Sequence, residues 1–311
     1  MILIKYILEN DVLEIEVADI DDYRGSRFDR TGMITQVRLK DGNHTFCTTE
    51  SLHHGQGTGG IGICSEFGLF TPIGYDSAGI GECFPKLGVG LLTKQGKTPY
   101  DFRLPYSVMP YDRQVVTAMD CGVIEFHTAP LACEGFAASL KKRISLDGGS
   151  LTIRYELLNT GNKRIVTEEY SHNFMRIDGH HYGPDYRLKF SFPIEIGNIE
   201  PDYTPQVLQV TSHEVRMKDI PKQDVYFNPS VPTMGGKLYW ELIHDPSQVG
   251  VRETCAFPVE KLAVWGAAHV VSPEVFAWID INPGESQIWQ RTFDFYKNPS
   301  KIPNYESFRK K

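Results

Sequence analysis

Short runs of alternating apolar and polar residues, separated by turn residues, recur along most of the chain. The run at 12–20 alternates cleanly, the run at 33–46 turns at Asp41-Gly42, and the stretch 139–174 contains three such runs in succession. A further pair surrounds Asn282-Pro283-Gly284 near the end of the sequence. A period of two residues places successive side chains on opposite faces of a strand, and Asp-Gly between two runs indicates a hairpin.

Helical periodicity of useful length is nearly absent, and the 28 glycines and 19 prolines are spread along the chain rather than clustered. Strand after strand with short polar turns favours an all-β sandwich or barrel over an α/β sheet. No linker or low-complexity stretch interrupts the pattern. We therefore expect one domain over residues 1–311, which is within the range of large β folds.

The composition and net charge of the chain limit the classes of partner that it is expected to bind. Hydrophobic residues make up 41% of the chain and charged residues 23%, and the net charge is −7. Such a chain can build a core, and its negative charge disfavours nucleic acid and anionic membranes as partners. The first twenty residues lack the features of a signal peptide and no apolar stretch is long enough to span a bilayer, so we expect a cytoplasmic protein. The oligomeric state is left open, a homo-oligomer included.

Metal and thiol chemistry have little support in the spacing of the ligand residues. The six cysteines form no C-x-x-C pair and are not spaced with histidines as in a zinc site, which predicts free thiols and no metal. His180 and His181 are adjacent, but two histidines without a third ligand make a poor metal site.

One segment departs from the alternating pattern. Residues 48–90 are rich in glycine and are predicted to be irregular, and a long irregular segment in a compact β protein usually carries function. Glu66, Asp76 and Lys86 lie in this segment and are candidate binding residues, because charged side chains can bond pairs of hydroxyl groups on a small ligand. The alternative is that they form salt bridges that hold the loop.

Two residues stand out as acid and base candidates. His172 ends a strand-like run and is flanked by Tyr170, Asn173 and Phe174, while Glu285 follows the turn at 282–284. A core histidine and a solvated surface glutamate are the plain alternatives. Together, an imidazole and a carboxylate from two strands could carry out two proton transfers on one small substrate.

The motifs around these residues resemble aldose 1-epimerases. EYSHNF at 169–174 resembles the family segment H-x-Y-F-N-L-x-G, whose histidine is the general acid, and PGES at 283–286 resembles the closing P-G-E segment, whose glutamate is the general base. KLAVWGAAHVVSPEVFAWIDI at 261–281 resembles the preceding strand pair. The family's arginine has only a positional counterpart in Lys86, and its second histidine has no clean match, with His53 and His54 nearest.

The resemblance implies a large twisted antiparallel β-sandwich of the galactose mutarotase type, with a sugar cleft on one concave sheet. It also implies an isomerase without cofactor or metal, which interconverts the α and β anomers of an aldose or modified aldose. Glu285 would take the proton of the anomeric hydroxyl while His172 protonates the ring oxygen, and the two groups would exchange roles to close the other anomer.

Further binding residues are less specific. Of the three arginines in YRGSRFDRTG (23–32), Arg27 is kept as a ligand candidate for a sugar acid or sugar phosphate, against surface pairing with nearby aspartates. Asn173 adjoins His172, but neighbours on a strand face opposite sides, so it could point away. Trp265 is a sugar platform or, as we expect, part of the core.

Two other functions stay open. A non-catalytic sugar-binding or sensor protein could use the same scaffold, because fold does not fix function. A glycoside hydrolase or lyase is the third reading, in which Glu285 would act with Glu274 or Glu66.

Overall fold

The structure is a computed structural model that describes residues 4–53, 55–118, 122–232 and 238–298. Within these residues nearly all regular structure is strand. The exceptions are a short helix, α1 (Thr204–Val207), and a 3₁₀ turn at Ile177–Gly179. No helix in the described ranges has the length and apolar character to span a bilayer.

The first sheet has the strand order β1-β2-β3-β5-β13-β22-β21-β18-β15, with β4 paired to β3. In chain order its strands are β1 (Ile4–Glu9), β2 (Leu13–Ala18), β3 (Ile34–Leu39), β4 (His44–Thr45), β5 (Ile63–Phe67), β13 (Ile165–Asn173), β15 (Ile196–Glu200), β18 (Val225–Pro229), β21 (Val259–Ala267) and β22 (Val270–Ile281). Every pairing within it is antiparallel.

The second sheet has the order β16-β17-β14-β19-β20-β23-β12-β11-β10-β9 and is also antiparallel. Its strands are β9 (Arg113–Ala118), β10 (Val123–Thr128), β11 (Ala138–Asp147), β12 (Ser150–Asn159), β14 (Tyr186–Phe190), β16 (Leu208–Val210), β17 (Glu214–Met217), β19 (Leu238–His244), β20 (Val249–Cys255) and β23 (Ser286–Lys297). A small third sheet contains β6 (Cys83–Lys86), β7 (Gly90–Thr93) and β8 (Val108–Pro110).

The two large sheets pack face to face around one main core. Strands of both contribute to the same buried cluster, including Val37 of β3, Ile153 of β12 and Phe293 of β23. Strand β12 alternates between buried and less buried residues, as expected for a strand with one face on the core. The architecture is therefore an antiparallel β-sandwich, and the all-β prediction is confirmed.

A buried ionic group fastens β13 to the second sheet. The Arg291 guanidinium of β23 donates to Glu169 Oε2 of β13 at 2.7 Å and to Glu253 Oε1 of β20 at 2.8 Å, and all three side chains are fully buried. Glu253 also accepts a hydrogen bond from Asn173 of β13 at 3.1 Å. Buried charges are tolerated when paired and hydrogen-bonded, so these contacts fix how β13 sits on the sandwich.

The segment 48–90 is less irregular than predicted. It contains β5 and β6 and the beginning of β7, and β5 lies in the interior of the first sheet beside β13. Every residue of β5 is buried. A strand covered on both faces has no polar alternation, which is why the pattern did not indicate it.

Candidate functional site

A cavity of about 840 Å³ lies on the face of the first sheet that is turned away from the second. Side chains of β13 that point to the core, such as Asn173, contact the second sheet, whereas Tyr170 and His172 point into the cavity. Loops complete its walls. The lining residues are Arg27, Glu50, Gly57, Thr58, Leu69, Phe70, Phe102, Arg103, Tyr170, His172, Asn198, Glu200, Asp224, Tyr226, Asn228, Lys261, Trp265 and Glu274.

His172 and Glu274 form a cross-strand pair in this cavity. Tyr170 pairs with Phe276 along β13 and β22, and Met175 pairs with Val271 in the same register, so His172 lies opposite Glu274. Residues directly opposite on antiparallel strands have Cβ atoms about 5 Å apart. The imidazole Nε2 lies 3.1 Å from Glu274 Oε1, and each residue is 5% exposed.

Ser272 holds both members of the pair. Its hydroxyl lies 2.7 Å from His172 Nδ1, donates to Glu274 Oε1 at 3.2 Å and accepts the Asn173 backbone N–H at 3.0 Å. One assignment satisfies every group: His172 Nδ1–H donates to Ser272 Oγ, whose own proton goes to Glu274. The lone pair of His172 Nε2 then faces Glu274 Oε1 at 3.1 Å and accepts a hydrogen bond when that carboxyl is protonated.

The electrostatic setting keeps both groups uncharged near neutral pH. Burial, with a smaller contribution from the positive charge of Arg27, lowers the pKa of His172 well below 6.5. Burial raises the pKa of Glu274 to about 8, although Arg27 and the hydrogen bond from Ser272 oppose the rise. A neutral imidazole is a proton acceptor and a protonated carboxyl is a donor, so the pair can move protons in both directions.

Arg27 is held at the cavity wall by a buried ionic cluster. Its guanidinium donates to Glu66 Oε2 at 2.8 Å and to the Tyr170 hydroxyl at 3.0 Å, and Lys86 Nζ donates to Glu66 Oε1 at 2.9 Å. Burial opposes ionisation of Glu66, yet the charges of Lys86 and Arg27 hold its pKa below the usual value. The cluster therefore presents one ordered cation beside the acid–base pair.

Aromatic side chains surround the pair. The Phe174 ring stacks on His172 with centroids 4.0 Å apart, and Trp265 meets the imidazole edge-on at 5.9 Å. Trp265 is only partly buried and lines the cavity, so it is better described as a cavity wall than as the core residue expected from the sequence. Aromatic faces of this kind cover the C–H surface of sugars.

The residues predicted from the irregular segment do not contact the cavity. Glu66 and Lys86 have no exposed surface and form the cluster behind Arg27, which corresponds to the salt-bridge alternative. Asp76 is exposed on a turn before β6 and is outside the cavity lining. Of the five predicted substrate-binding residues, only Arg27, the candidate for an acidic group, lines the cavity.

The structure does not bring Glu285 to His172. Glu285 is exposed in the turn between β22 and β23, where its carboxylate accepts hydrogen bonds from the backbone and side chain of Asn282 at 3.0 Å. Ile281 at that end of β22 pairs with Ile165, seven residues before His172, which is roughly 23 Å along β13 at about 3.3 Å per residue. The expected pairing is therefore corrected: the carboxylate beside His172 belongs to Glu274.

Asn173 and the upstream histidines also lie away from the site. Asn173 is fully buried on the core face, where it donates to Glu253 and to the Pro273 carbonyl at 2.7 Å, so it is not a sugar ligand. His53 is exposed and lines a separate hollow of about 430 Å³, and His54 lies outside the described residues.

From the sequence, Glu274 is a candidate only as a partner for Glu285 in glycoside hydrolysis. The usable signal for it is its place in the segment 261–281, which resembles the family's strand pair. Hydrophobic pattern alone does not find it, because β22 is buried over most of its length.

Metal ligands and disulfides are not features of the described part of the chain. There, no group of three or more His, Cys, Asp or Glu side chains could hold a metal ion. Cys47, Cys64, Cys83, Cys133 and Cys255 are free thiols, and Cys121 lies outside the described residues.

Comparison with known proteins gives the fold a context. No protein-family model matches the sequence, and no curated protein matches it. Among solved structures, a putative aldose 1-epimerase from Escherichia coli is similar with a TM-score of 0.61 at 12% identity, covering 96% of this chain and 100% of that one.

Two further solved structures are similar to this chain over nearly its whole length. A galactose mutarotase related enzyme from Lactobacillus acidophilus has a TM-score of 0.60 at 12% identity, over 96% of this chain and 99% of that one. A GalM/aldose epimerase homologue from C. elegans has a TM-score of 0.53 at 10% identity, over 94% and 98%. At such identities the likeness concerns architecture, and the chain has the β-sandwich fold seen in proteins of the aldose 1-epimerase and galactose mutarotase type.

Proposed function

We propose that this protein interconverts the anomers of a reducing sugar by acid–base catalysis in the cavity on the first sheet. The observation that supports this most directly is the cross-strand pair of His172 and Glu274, one neutral base and one protonated acid 3.1 Å apart in a cavity. The shared fold with solved proteins of mutarotase type is consistent with the same chemistry.

The resting protonation states set the first step. His172 Nε2 takes the proton from the anomeric hydroxyl, and Glu274 gives its proton to the ring oxygen as the bond between C1 and that oxygen breaks. The sugar is then an open-chain aldehyde, and the pair has become imidazolium and carboxylate. These roles are the reverse of those that the resemblance implied for the histidine and the glutamate.

Ring closure reverses the transfers. After rotation about the C1–C2 bond, Glu274 takes the proton from the hydroxyl that attacks the aldehyde, while His172 returns its proton to the new anomeric oxygen. Both groups end as they began, so the cycle needs no other reactant. The temporary charges attract each other across 3.1 Å and lie beside Arg27, which favours the carboxylate form of Glu274.

The cavity supplies the other contacts that a sugar requires. Trp265 offers an aromatic face, and Arg27 and Glu50 offer a donor and an acceptor for hydroxyls. Glu50 already accepts hydrogen bonds from Thr58 and Arg27, so its position is set before a ligand arrives. A fixed acceptor costs less entropy on binding than a mobile one.

Polarimetry tests the reaction. Freshly dissolved α-anomers of several aldoses are followed with and without protein, and we expect faster equilibration with at least one sugar. His172→Asn and Glu274→Gln should each lower the rate by about 100-fold or more, since a positioned acid or base contributes about 10²–10⁴-fold. Glu285→Gln is the matched control and should retain activity.

Other outcomes identify the alternatives. Sugar binding without faster equilibration would refute the isomerase and favour a sensor. New reducing ends released from an oligosaccharide would favour hydrolysis. Full activity in both Glu274→Gln and His172→Asn would reject this pair as the acid and base.

A further inference from the structure

The cavity is wider than a reaction at His172 and Glu274 on one sugar ring requires. Five neighbouring strands line it, in the order β13, β22, β21, β18 and β15. Strands in a sheet lie about 4.8 Å apart, so the lined face is about 19 Å across. The acid–base pair lies on the first two strands of the five, at one end of this width.

Two rows of side chains cross these strands in register. Glu274 pairs with Ala263, and continuing the register of Tyr226 with Trp265 and Phe227 with Val264 sets Ala263 beside Asn228. A parallel row runs from Ser272 through Trp265 and Tyr226 to Glu200. The first row forms a track that leads away from the pair, and the second borders it with aromatic rings.

The track is apolar in its middle and polar at its far end. Ala263 is 1% exposed and packs with Leu69, Tyr170 and Phe276, so Tyr226 is the side chain that faces a ligand here. Asn228 uses its amide N–H to bond the Leu262 carbonyl at 3.0 Å, which leaves its amide oxygen as an acceptor. Asn198 and Glu200 lie beyond it at the rim and are exposed.

One pyranose does not reach from the pair to the rim at β15. Its O1 and O4 atoms are about 5 Å apart, and a hydrogen bond of about 2.8 Å at each end extends this reach to about 11 Å. Asn228 lies two strand spacings from Glu274, about 10 Å, and the strand of Asn198 lies about 14 Å away. A ring whose C1 is at His172 and Glu274 therefore reaches Asn228 at most and leaves Asn198 and Glu200 without a partner from the sugar.

We propose that the substrate is a reducing oligosaccharide of two or more rings, with its reducing ring on the acid–base pair and the next ring toward β18 and β15, against Tyr226. The far end carries Asn228, Asn198, Glu200 and Asp224, and Lys261 also lines the cavity. These donors and acceptors suit the hydroxyls of a glycosyl unit.

Anomer exchange at equilibrium, measured by NMR saturation transfer between anomeric protons, compares single sugars with their extended forms. Glucose is compared with maltose, cellobiose and isomaltose, and galactose with β-1,4-galactobiose. We expect kcat/KM for at least one disaccharide to exceed that of its own reducing-end monosaccharide by about tenfold or more.

Variants locate the effect on the track. Tyr226→Ala and Asn198→Ala should reduce the preference for the disaccharide to near one. Tyr239→Ala, on β19 of the second sheet and outside the cavity lining, should leave the preference unchanged. Thermal unfolding of each variant checks that the fold is retained.

Because this inference rests on the proposed function, its failure must be separable from the failure of that function. Monosaccharides that react as well as every disaccharide would overturn the extended site and leave the isomerase intact. If the protein accelerates anomer exchange in none of these sugars, the proposed isomerase activity is refuted. Calorimetric titration with the same sugars then tests whether the extended site binds a second ring. Tighter binding of a disaccharide would then support the track, and equal or undetectable binding would reject it.

Discussion

Replacing Glu274 by glutamine is expected to stabilise the folded protein at neutral and alkaline pH while removing the proposed acid. Burial raises the pKa of this carboxyl from 4.5 to about 8. Because the folded-state pKa lies above the unfolded one, the wild-type protein has its full stability below pH 4.5 and loses part of it as the pH rises to about 8. Glutamine does not ionise, and its amide oxygen can still accept the hydrogen bond from Ser272.

The size of the effect follows from the two pKa values. Each pH unit between them changes the free energy of unfolding by about 1.4 kcal/mol. The advantage of glutamine should therefore be about 1 kcal/mol at pH 5, about 3 kcal/mol at pH 7 and about 5 kcal/mol at pH 9. At about 2 °C per kcal/mol for a large domain, the difference in Tm should widen by roughly 4 °C between pH 5 and pH 7.

Urea unfolding at pH 5, 7 and 9 measures this directly in wild type and Glu274→Gln. Glu285→Gln is the matched control, because Glu285 is exposed in a turn and its substitution should give a difference that changes little with pH. If the Glu274→Gln and wild-type stabilities run parallel from pH 5 to pH 9, the carboxyl ionises normally. The assignment of Glu274 as a protonated acid would then be refuted.

Four further results are expected. The rate of mutarotation should fall above a pH of about 8, where Glu274 loses its proton, and a pH–rate profile would show this limb; a constant rate to pH 10 would contradict it. The acid limb should lie below pH 6.5, because His172 resists protonation, and a limb at higher pH would oppose its role as base. Ser272→Ala should lower kcat by about tenfold with little change in KM, because Ser272 orients the pair without facing the sugar. Steady-state kinetics measures both constants, and a change in KM with kcat unaltered would contradict this role. Arg291→Met leaves two buried glutamates without their cation, so denaturant unfolding should show a loss of about 3–5 kcal/mol, and an unchanged midpoint would exclude a structural role for this ion group.

The strands with one solvent-exposed face could be predicted from the sequence. The runs at 12–20 and 139–174 contain β2, β11, β12 and β13, and the hairpin at Asp41-Gly42 joins β3 to β4. In β2, β11, β12 and the first half of β13, burial on one face only imposes a period of two on the residues. From Glu169 to Asn173, β13 is buried on both faces and the alternation is lost. Strand β5 has no such signal, because it is buried on both faces within a segment that otherwise reads as loop.

The acid–base pair depends on register, which no local pattern contains. His172 and Glu274 are about a hundred positions apart, and they meet because β13 and β22 pair in one alignment. The motif around Glu285 offered a closer local match to a known segment, but the turn that it occupies lies at the other end of the same strand pair. Eleven residues along the chain separate the buried carboxyl of Glu274 from the surface carboxylate of Glu285.

The charged residues near the site have different roles, and the contacts that distinguish those roles cannot be seen in the sequence. Arg27, Glu66 and Lys86 are all candidate ligands from the sequence, yet only Arg27 faces the cavity, while Glu66 pairs with Arg27 and Lys86 pairs with Glu66. Which member of a buried cluster points outward is decided by the packing of several distant segments. Sequence spacing could identify these charged residues as candidates, but it could not show which of them faces the cavity.

Strand β13 serves two purposes through its alternate residues. Glu169 and Asn173 anchor it to the opposite sheet, and Tyr170 and His172 face the cavity. Inserting or deleting one residue in the strand would turn the imidazole inward and the anchoring polar groups outward. Such a length change would abolish reactivity and destabilise the sandwich together, so tolerated insertions and deletions should fall in the loops around the cavity rather than in this strand.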